Sequence, residues 1–581
     1  MKVSKSWLKE LVELKISIDE VEKLLPLRTI GTKEITENFI ELDMKGYNRA
    51  DLLSMRGVAR EVAAITDSEI KFTEVPHKDY VWVEQSLPEL KVEVEDDKLC
   101  PIYCVAKIEG LKVGGSPKDW VKKLEDCGIR SINNIADLTN LMMLEYGQTM
   151  HSFDAAKVAD ETMIVRLAKE GEQFETLDGK NRILTSEDLL ITDPKGILSL
   201  SGIMGGKDSE ITEDTDSILL EVAIFDPVSI RKTGQRLGLH SEASKRIQHG
   251  LTRKGLFQAL DAAIKMYQDL GGKLTALTIV GETEDQIKKV PLTLEKTNSL
   301  IGVDLSKTEV EDFLKKLNFE MEEVEEGRWV VTPPYYRLDI EIEEDLIEET
   351  ARMYGYEKIP AKELAEELPE KIDQSLFDLI YNTKKSLVDL GLTEIQSYSF
   401  YSTKVLGALG FDESNKENII RVANPISSET EYLREFIWPN LVEVIEKNLK
   451  QGYGDIAIFE VGKVYLPPST SLRGSDSDRG NLPIESYRLA IALMNSSDNP
   501  VKELNTIFSL GANLFHPPGV QVEKGGLMKE LKTLFHPTRF ATVKLADKVI
   551  GGLAEVHPRL LNHFGIDKKV AILEISIERP N

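Results

Sequence analysis

The sequence predicts a multidomain α+β protein, and three observations lead to this fold class. The chain has 581 residues, which at roughly 100–200 residues per domain leaves room for about three to five cores. Segments with helical spacing of apolar residues alternate with segments in which apolar and polar residues alternate as in strands. No apolar run approaches the roughly 18 residues that span a bilayer, so we expect a soluble, cytoplasmic protein.

The first two predicted domains differ in their periodicity. Residues 1–85 begin with helical spacing of apolar residues from Trp7 to Leu14, which predicts a helical domain. Residues 86–285 contain strand-like stretches such as LKVEVE and YCVAKIEGLKV, separated by Gly-Gly and Ser-Pro turns. This second stretch is therefore predicted to be a mixed α+β domain.

Two further domains follow. Residues 290–360 predict a helix, a strand and a second helix that starts near Glu344, an order that suggests a small winged-helix-like domain. After a linker rich in Glu and Lys, residues 372–581 alternate helical segments, such as NLVEVIEKNLKQ, with strand-like segments, such as IAIFEVGKVYL. The low-complexity loop PPSTSLRGSDSDRGNLP interrupts this last domain.

Charge and motif content limit the function classes. The chain carries 72 Lys and Arg against 98 Asp and Glu, a net charge of -26, which opposes nonspecific attraction to phosphate backbones and anionic lipid. We therefore expect no membrane and no DNA among its partners. The GxxxxGK[ST], strand-coupled GxGxxG and HExxH motifs are absent. The run from Gly202 to Gly206 is explained more simply by a turn that needs a positive φ than by a phosphate site.

The densest group of ionisable residues is the segment DIEIEEDLIEE, from Asp339 to Glu349. If a helix begins near Glu344, then Asp345, Glu348 and Glu349 project from one face, while Asp339 approaches from the preceding strand. Four carboxylates in that arrangement suit Mg²⁺ or a basic partner surface. A solvated acidic first turn, favoured by the helix dipole and by capping, explains the same pattern.

A second set of polar residues is spread over residues 130–250. Glu221 lies within an apolar run, ILLEVAIF, where a buried carboxyl is costly unless it has a partner. It is either a polar group that reads a ligand in a pocket or the ion-pair partner of Arg231 or Arg246. His151 is either a base or a structural histidine.

Five blocks of sequence occur in an order and with an internal spacing that match one known family. They are YNRADLLSMRGVAREVAAIT, GIRSINNIADLTNLMMLEYGQTMHSFD, LSGIMGGKDSEITEDTDSILLEVAIFDPVSIRKTGQRLGLHSEASKR, YRLDIEIEEDLIEETARMYGYEKIP, and NPISSETEYLREFIWPNLVEVIEKNLKQ with IAIFEVGKVY. Together they resemble the β subunits of bacterial phenylalanyl-tRNA synthetases over about residues 1–570.

The resemblance implies a role for each domain. Residues 86–285 would be the editing domain, residues 290–360 a winged-helix-like magnesium-binding domain, and residues 372–581 a class II synthetase-like core on an antiparallel sheet. That core would have no catalytic residues for aminoacylation. The α subunit, in an α2β2 tetramer, would use ATP and Mg²⁺ to attach phenylalanine to tRNA(Phe). This chain would support that reaction and hydrolyse mischarged Tyr-tRNA.

The resemblance also assigns residues to an editing pocket and to a metal site. The pocket residues are Thr139, Asn140, His151, Gly205, Glu221 and Ala243. Within the pocket, Glu221 would read the tyrosyl hydroxyl, Gly205 and Ala243 would leave room for the ring, and His151 would help to position the attacking water. The Mg²⁺ ligands, shared with the α subunit, are Asp339, Asp345, Glu348 and Glu349.

The sequence also departs from the family. The oligonucleotide-binding domain usually inserted in the first domain would lie near residues 38–45, where the chain runs straight through ITENFIELDMKGYNRAD. We expect the C-terminal anticodon-binding domain to be absent as well, and Ile247, Gln248 and His249 replace an aromatic, a Glu and an Arg beside the pocket. Two alternatives stay open: a stand-alone RNA-interaction or deacylase protein derived from such a subunit, and an independent metal-dependent hydrolase.

Overall fold

The computed structural model describes residues 1–363, 372–411, 419–467, 483–515, 520–524 and 533–577. The chain divides into two units, residues 1–364 and 365–581. Both mix helices with sheets that are mainly antiparallel, which confirms the predicted α+β class. Most of the predicted linker and low-complexity loop lies outside the described residues. Within the described part of the chain, no helix is long and apolar enough to cross a membrane.

The first 85 residues combine helices with two small sheets, one of three strands and one of two. Their elements are β1 (Lys2–Ser4), α1 (Lys5–Leu11), β2 (Val12–Glu13), α2 (Ile18–Arg28), β3 (Thr32–Ile35), β4 (Phe39–Leu42), α3 (Met55–Thr66) and β5 (Glu69–Ile70). The order β1-β4-β3 forms a three-stranded sheet that the helical spacing did not reveal, because strands this short show no clear alternation. The connection from β4 to α3 carries no inserted domain, as the sequence predicts.

The stretch predicted to be a mixed domain is built on two large sheets and a two-stranded one. Its elements are β6 (Val92–Val94), β7 (Ile102–Glu109), α4 (Lys118–Asp126), α5 (Asn134–Tyr146), β8 (Met150–Asp154), β9 (Met163–Leu167), β10 (Gln173–Glu175), β11 (Asn181–Ile183), β12 (Leu189–Thr192), β13 (Ile197–Leu200), β14 (Met204–Gly205), β15 (Ser217–Ile224), α6 (Pro227–Leu237), α7 (Glu242–His249), α8 (Arg253–Asp269) and β16 (Lys273–Gly281). The four-stranded sheet has the order β16-β7-β15-β8, and the five-stranded sheet β14-β13-β12-β9-β6.

The four-stranded sheet is buried on both faces. Alternate residues of β7, β8 and β15, such as Tyr103, Phe153 and Leu219, pack in one apolar cluster with the five-stranded sheet. The residues between them, such as Cys104 and Leu220, belong to the cluster that contains the buried faces of α5 and α8. A polar side chain on either face of β15 therefore lies in an apolar interior.

The stretch of residues 290–360 contains three helices against a three-stranded antiparallel sheet. Its elements are β17 (Val290–Thr293), α9 (Leu294–Ile301), α10 (Lys307–Lys316), β18 (Glu320–Glu325), β19 (Arg328–Thr332) and α11 (Glu343–Tyr354), and the strand order is β17-β19-β18. Helix α11 begins one residue before the predicted start at Glu344. Asp339 lies in the turn before α11 rather than in a strand.

The second unit is built on one large sheet. Its described elements are α12 (Ser375–Asp389), β20 (Thr393–Glu394), β21 (Phe400–Tyr401), α13 (Thr403–Leu409), β22 (Tyr432–Leu433), α14 (Trp438–Leu449), β23 (Ile456–Leu466), β24 (Ile484–Met494), α15 (Pro500–Phe515), β25 (Val520–Lys524), β26 (Phe535–Leu545), β27 (Lys548–Val556), α16 (Pro558–His563) and β28 (Val570–Ile577). The seven-stranded order is β20-β23-β24-β28-β27-β26-β25, and every pair is antiparallel except β20 with β23.

Candidate functional site

Glu221 lies on a central strand of the four-stranded sheet. In β15 it is opposite Val105 of β7 on one side and opposite His151 of β8 on the other. Its side chain shares the face of Leu219 and Ala223, which point into the cluster between the two sheets. Only 6% of the residue is exposed, so the sequence places a carboxyl in an apolar interior.

The Glu221 carboxyl has no charged partner in the described part of the chain. Arg246, one of the two arginines considered for an ion pair, instead bonds Glu242 at 2.8 Å and the carbonyl of Leu53 at 3.0 Å. Within the described residues no ion pair or hydrogen bond of the Glu221 side chain is formed, so the ion-pair alternative is wrong. Burial alone raises the pKa of Glu221 to about 8, because desolvation disfavours the charged form. At neutral pH the group is therefore mainly the uncharged acid.

His151 is held beside the glycine run. Its ring lies edge-on to Phe153, with ring centroids 4.6 Å apart. A Cβ atom placed on Gly205 would lie 2.9 Å from Cε1 of this ring, so only glycine allows β14 to approach the imidazole this closely. Burial lowers the pKa of His151 to about 4, since no acid compensates for the lost hydration. The imidazole is thus neutral at physiological pH.

The other predicted pocket residues lie on two helices. Thr139 and Asn140 are on α5, where the hydroxyl of Thr139 donates to the carbonyl of Ala136 at 2.7 Å. Ala243 is half-buried in the first turn of α7. The structure therefore brings together Glu221, His151 and Gly205, whereas no hydrogen bond joins Thr139, Asn140 or Ala243 to them in the described part of the chain.

Gly202, the first residue of the glycine run, has a structural role in a turn. Gly202 has φ +63° in the turn between β13 and β14, as the sequence predicts. A Cβ atom there would lie 2.3 Å from Cδ1 of Ile247, so α7 packs directly on the turn. Ile247 is buried in the apolar cluster between the sheets.

A polar group that the sequence analysis missed lies near Glu221. Tyr103, on β7, is completely buried, and its hydroxyl has no hydrogen-bond partner among the described residues. Burial, followed by the nearby Glu221 carboxyl, raises the pKa of this phenol well above its usual value. Nothing in the strand YCVAKIEG distinguishes Tyr103 from an ordinary core tyrosine, because only the structure shows that its hydroxyl is unsatisfied.

The four predicted metal ligands have different environments. Glu349 is buried between two arginines: Arg337 contacts Oε2, and Nε of Arg352 donates to Oε1 at 2.8 Å. Arg337 also binds both oxygens of Asp339, at 2.9 and 2.6 Å. Asp345 accepts the backbone N–H groups of residues 341 and 342 at 2.8 and 2.9 Å and so caps the helix.

Glu349 belongs to a buried ion-pair network. Its members are Arg49, Asp51, Glu61, Arg337, Asp339, Glu349 and Arg352. Arg352 also contacts Glu61 on α3, so the network joins the first 85 residues to α11. Burial opposes ionisation of Glu349, but Arg337 and Arg352 outweigh it and hold the pKa of this carboxyl well below its usual range. Each acid in the network is therefore ion-paired with at least one arginine.

The arrangement of these four carboxylates differs from that of a Mg²⁺ site. Mg²⁺ prefers an octahedral set of oxygens and usually keeps several waters. Within the residues that the structure describes, no group of three or more His, Cys, Asp or Glu side chains is arranged to hold a metal ion. As a set, Asp339, Asp345, Glu348 and Glu349 do not fit one ion, because Asp339 and Glu349 are bound to arginine. Glu348 is exposed, and Asp345 has one oxygen outside the cap.

Comparison with known proteins gives matches along most of the chain. Family models match for the B3/4 domain at residues 99–272, the tRNA synthetase B5 domain at residues 290–356, and the phenylalanyl tRNA synthetase beta chain CLM domain at residues 359–577. The "Phenylalanine--tRNA ligase beta subunit" of Lactococcus lactis is 33% identical over 559 residues, which are 94% of this chain and 67% of that protein. The chain belongs to the family of phenylalanine--tRNA ligase beta subunits.

Other relatives match a similar share of the chain. The protein of the same name from Geobacter sulfurreducens is 34% identical over 552 residues, which cover 92% of this chain and 66% of the relative. The chain thus spans about two thirds of the length of the curated relatives it matches. A solved N-terminal fragment of the phenylalanyl-tRNA synthetase beta subunit from Pyrococcus horikoshii is 20% identical, with a TM-score of 0.36, and covers 61% of this chain and 99% of the fragment.

Proposed function

We propose that this chain is the β subunit of a cytoplasmic phenylalanine--tRNA ligase that removes tyrosine from mischarged tRNA(Phe). The observation that carries this proposal is the buried Glu221 carboxyl, which has no partner within the described chain and is uncharged at neutral pH. A polar group of this kind is costly in an apolar interior. A ligand hydroxyl that enters the pocket would relieve that cost.

The physical need for such a site is plain. A hydrophobic pocket that accepts phenylalanine rejects an added hydroxyl by only about 10²-fold. A second pocket that hydrogen-bonds the hydroxyl discriminates much better, because phenylalanine would leave its polar groups unpaired. We assign Glu221 to the phenolic hydroxyl of the tyrosyl group, with Gly205 and Ala243 beside the ring.

We place the ester bond between the tyrosyl carbonyl and the ribose oxygen at the other end of the pocket. A water attacks the carbonyl carbon, the ester C–O bond breaks, and the ribose oxygen takes up a proton. Thr139, Asn140 and His151 position this water. A pKa near 4 makes His151 a poor match for a general base at neutral pH, so its role is to orient the water through a neutral ring nitrogen.

The catalytic partner is the α subunit. We propose that α carries out ATP-dependent activation of phenylalanine in an α2β2 tetramer, with residues 372–581 as a class II-like core that lacks the catalytic groups. Exposed apolar side chains support a partner surface in this region: Phe377, Tyr381 and Val388 are 67%, 59% and 52% exposed, and their spacing puts them on one face of α12. Soluble proteins rarely leave such a stripe uncovered.

The family matches at residues 99–272, 290–356 and 359–577 support a division of the chain into domains. We propose an N-terminal domain over residues 1–85, an editing domain over 86–285, a winged-helix-like domain over 290–360 and the core over 372–581. Of the four carboxylates of the acidic segment, only Asp345 and Glu348 are proposed to contribute to Mg²⁺ binding. Mg²⁺ takes one or two protein carboxylates together with waters and substrate phosphates.

The partner assignment predicts that the purified chain alone will not catalyse ATP–pyrophosphate exchange with phenylalanine. Co-expression with the α subunit should restore exchange and aminoacylation of tRNA(Phe), because the phosphate-binding and activating groups lie in α. Strong exchange by the chain alone would contradict the proposal. Failure of the two proteins to co-purify would contradict it as well.

The editing assignment predicts that the assembled enzyme hydrolyses Tyr-tRNA(Phe) and that Glu221→Ala slows this reaction about 10- to 100-fold. That range corresponds to loss of one hydrogen bond of about 1–3 kcal/mol. His151→Ala should also be slower, since the water would lose a positioning group. Glu93→Ala, at an exposed glutamate on β6, is the matched control and should react as fast as wild type. Equal rates for wild type and Glu221→Ala would exclude Glu221 from the site.

A further inference from the structure

The phenol of Tyr103 is unusual among the buried tyrosines of this chain. Tyr103, Tyr267 and Tyr401 are each completely buried. The hydroxyl of Tyr267 donates to the carbonyl of Ile135 and shares a hydrogen bond with Ser152, both at 3.0 Å. The hydroxyl of Tyr401 donates to the carbonyl of Phe436 at 3.2 Å. Only the hydroxyl of Tyr103, among these three, has no partner.

An unsatisfied buried hydroxyl calls for a physical explanation. Most buried polar groups find a hydrogen-bond partner, and each exception costs free energy. A phenylalanine at position 103 would fill the same space between the sheets without that cost. The hydroxyl is therefore not explained by packing, and a ligand that is bound only part of the time would explain it.

The position of Tyr103 connects it to Glu221. Tyr103 is opposite Ala223 and Glu221 is opposite Val105 in the pairing of β7 with β15. The two side chains are thus diagonal neighbours on the same face of the sheet, a relation that long side chains can bridge. Both point into the apolar cluster that also contains Phe153, next to His151.

The two groups complement a phenolic hydroxyl. Such a hydroxyl donates one hydrogen bond and accepts others. The uncharged carboxyl of Glu221 supplies a carbonyl oxygen that accepts, and the hydroxyl of Tyr103 supplies a hydrogen that it can donate. A phenyl ring without a hydroxyl would satisfy neither group.

We propose that Tyr103 is a second specificity-determining residue of the editing pocket, whose hydroxyl donates a hydrogen bond to the phenolic oxygen of the tyrosyl group held by Glu221. The inference rests on the proposed editing function and adds a residue to it. Because Tyr103 contacts the ring end of the substrate and not the ester, it contributes to binding equally in the ground state and in the transition state. Its loss should therefore raise KM and leave kcat unchanged.

The test is the Tyr103→Phe variant in the assembled αβ enzyme, with Tyr267→Phe as the matched control. We expect Tyr103→Phe to raise KM for deacylation of Tyr-tRNA(Phe) about tenfold, the equivalent of one hydrogen bond, with kcat and the melting temperature no lower than in wild type. Tyr267→Phe removes a satisfied hydroxyl, so it should lower the melting temperature and leave KM unchanged.

Two results would overturn the inference, and they are distinguishable. If wild type deacylates Tyr-tRNA(Phe) and Tyr103→Phe has the same KM, Tyr103 does not touch the substrate, while the editing function stands. If the wild-type complex aminoacylates tRNA(Phe) but does not deacylate Tyr-tRNA(Phe), both the editing function and the role of Tyr103 are wrong. A fall in melting temperature for Tyr103→Phe as large as that for Tyr267→Phe would also contradict it, since the hydroxyl would then be structural.

Discussion

Glu349→Ala will lower the free energy of unfolding of residues 1–364 by about 3–5 kcal/mol. Glu349 is the acid that Arg337 and Arg352 share inside the protein. Removing it leaves Arg337 paired only with Asp339 and Arg352 paired only with Glu61. Breaking buried ion pairs is far more costly than the loss of an exposed ion pair. The measurement is urea unfolding followed by tryptophan fluorescence, because four of the five tryptophans lie in this unit.

The neighbouring residue provides the control for this prediction. Glu348 has the same side chain and the same helix, but it is exposed and makes no ion pair in the described chain. Glu348→Ala should change stability by no more than about 0.5 kcal/mol. If the two variants are equally stable, the buried ion-pair network is not structural. A loss for Glu349→Ala that appears only in the presence of Mg²⁺ would instead support a metal-ligand role for Glu349.

We expect wild type to lose stability as the pH rises above about 6.5. The Glu221→Gln variant will not show this loss. Burial raises the pKa of Glu221 from 4.5 in the unfolded chain to about 8 in the folded chain. Between these values the folded state holds a proton that the unfolded state has released. The stability contributed by Glu221 is thus fully present below pH 4.5. It decreases by about 1.4 kcal/mol per pH unit as the pH rises towards 8.

His151 has the opposite effect over part of this range. Burial lowers its pKa from 6.5 to about 4, so its contribution is present above pH 6.5 and is lost as the pH falls. The two groups nearly cancel between pH 4.5 and 6.5, and Glu221 acts alone from there to pH 8. Glu221→Gln should therefore gain about 2 kcal/mol relative to wild type between pH 6.5 and 8.

The measurement is urea unfolding of the two proteins at several pH values in this interval. Glu93→Gln, at an exposed position on β6, should follow the wild-type curve, because this side chain is in contact with solvent in the folded protein. Parallel curves for wild type and Glu221→Gln would show that the Glu221 carboxyl is already charged in the folded protein. The apolar surroundings of β15 would then not control its protonation.

Long periodic elements of this fold were the easiest to predict from the sequence. The strand predicted as IAIFEVGKVYL is β23, Ile456–Leu466, and α11 begins one residue from its predicted start. These elements carry their signal in their own apolar spacing. The short strands β1, β3 and β4 have too few residues for such a signal, so their sheet emerges only from contacts between segments distant in sequence.

The same distinction applies to the candidate site. Glu221 was recognisable because a carboxyl in an apolar run is conspicuous by itself. The burial of Glu349 was not predictable, since its arginine partners are set by tertiary packing: Arg352 lies one turn further along α11, but Arg337 comes from a turn before the helix. Sequence spacing grouped Glu348 with Glu349, whereas the structure exposes one and buries the other.

The ion pair between Glu61 and Arg352 also has a consequence for the synthesis of the chain. The two residues are 291 positions apart, and a ribosome adds about 5–20 residues per second. Arg352 therefore follows Glu61 by roughly 15–60 s. Throughout that delay α3 has only Arg49 to neutralise a glutamate that is buried in the finished protein. The contact between α3 and α11 therefore forms only after most of residues 1–364 have been synthesised.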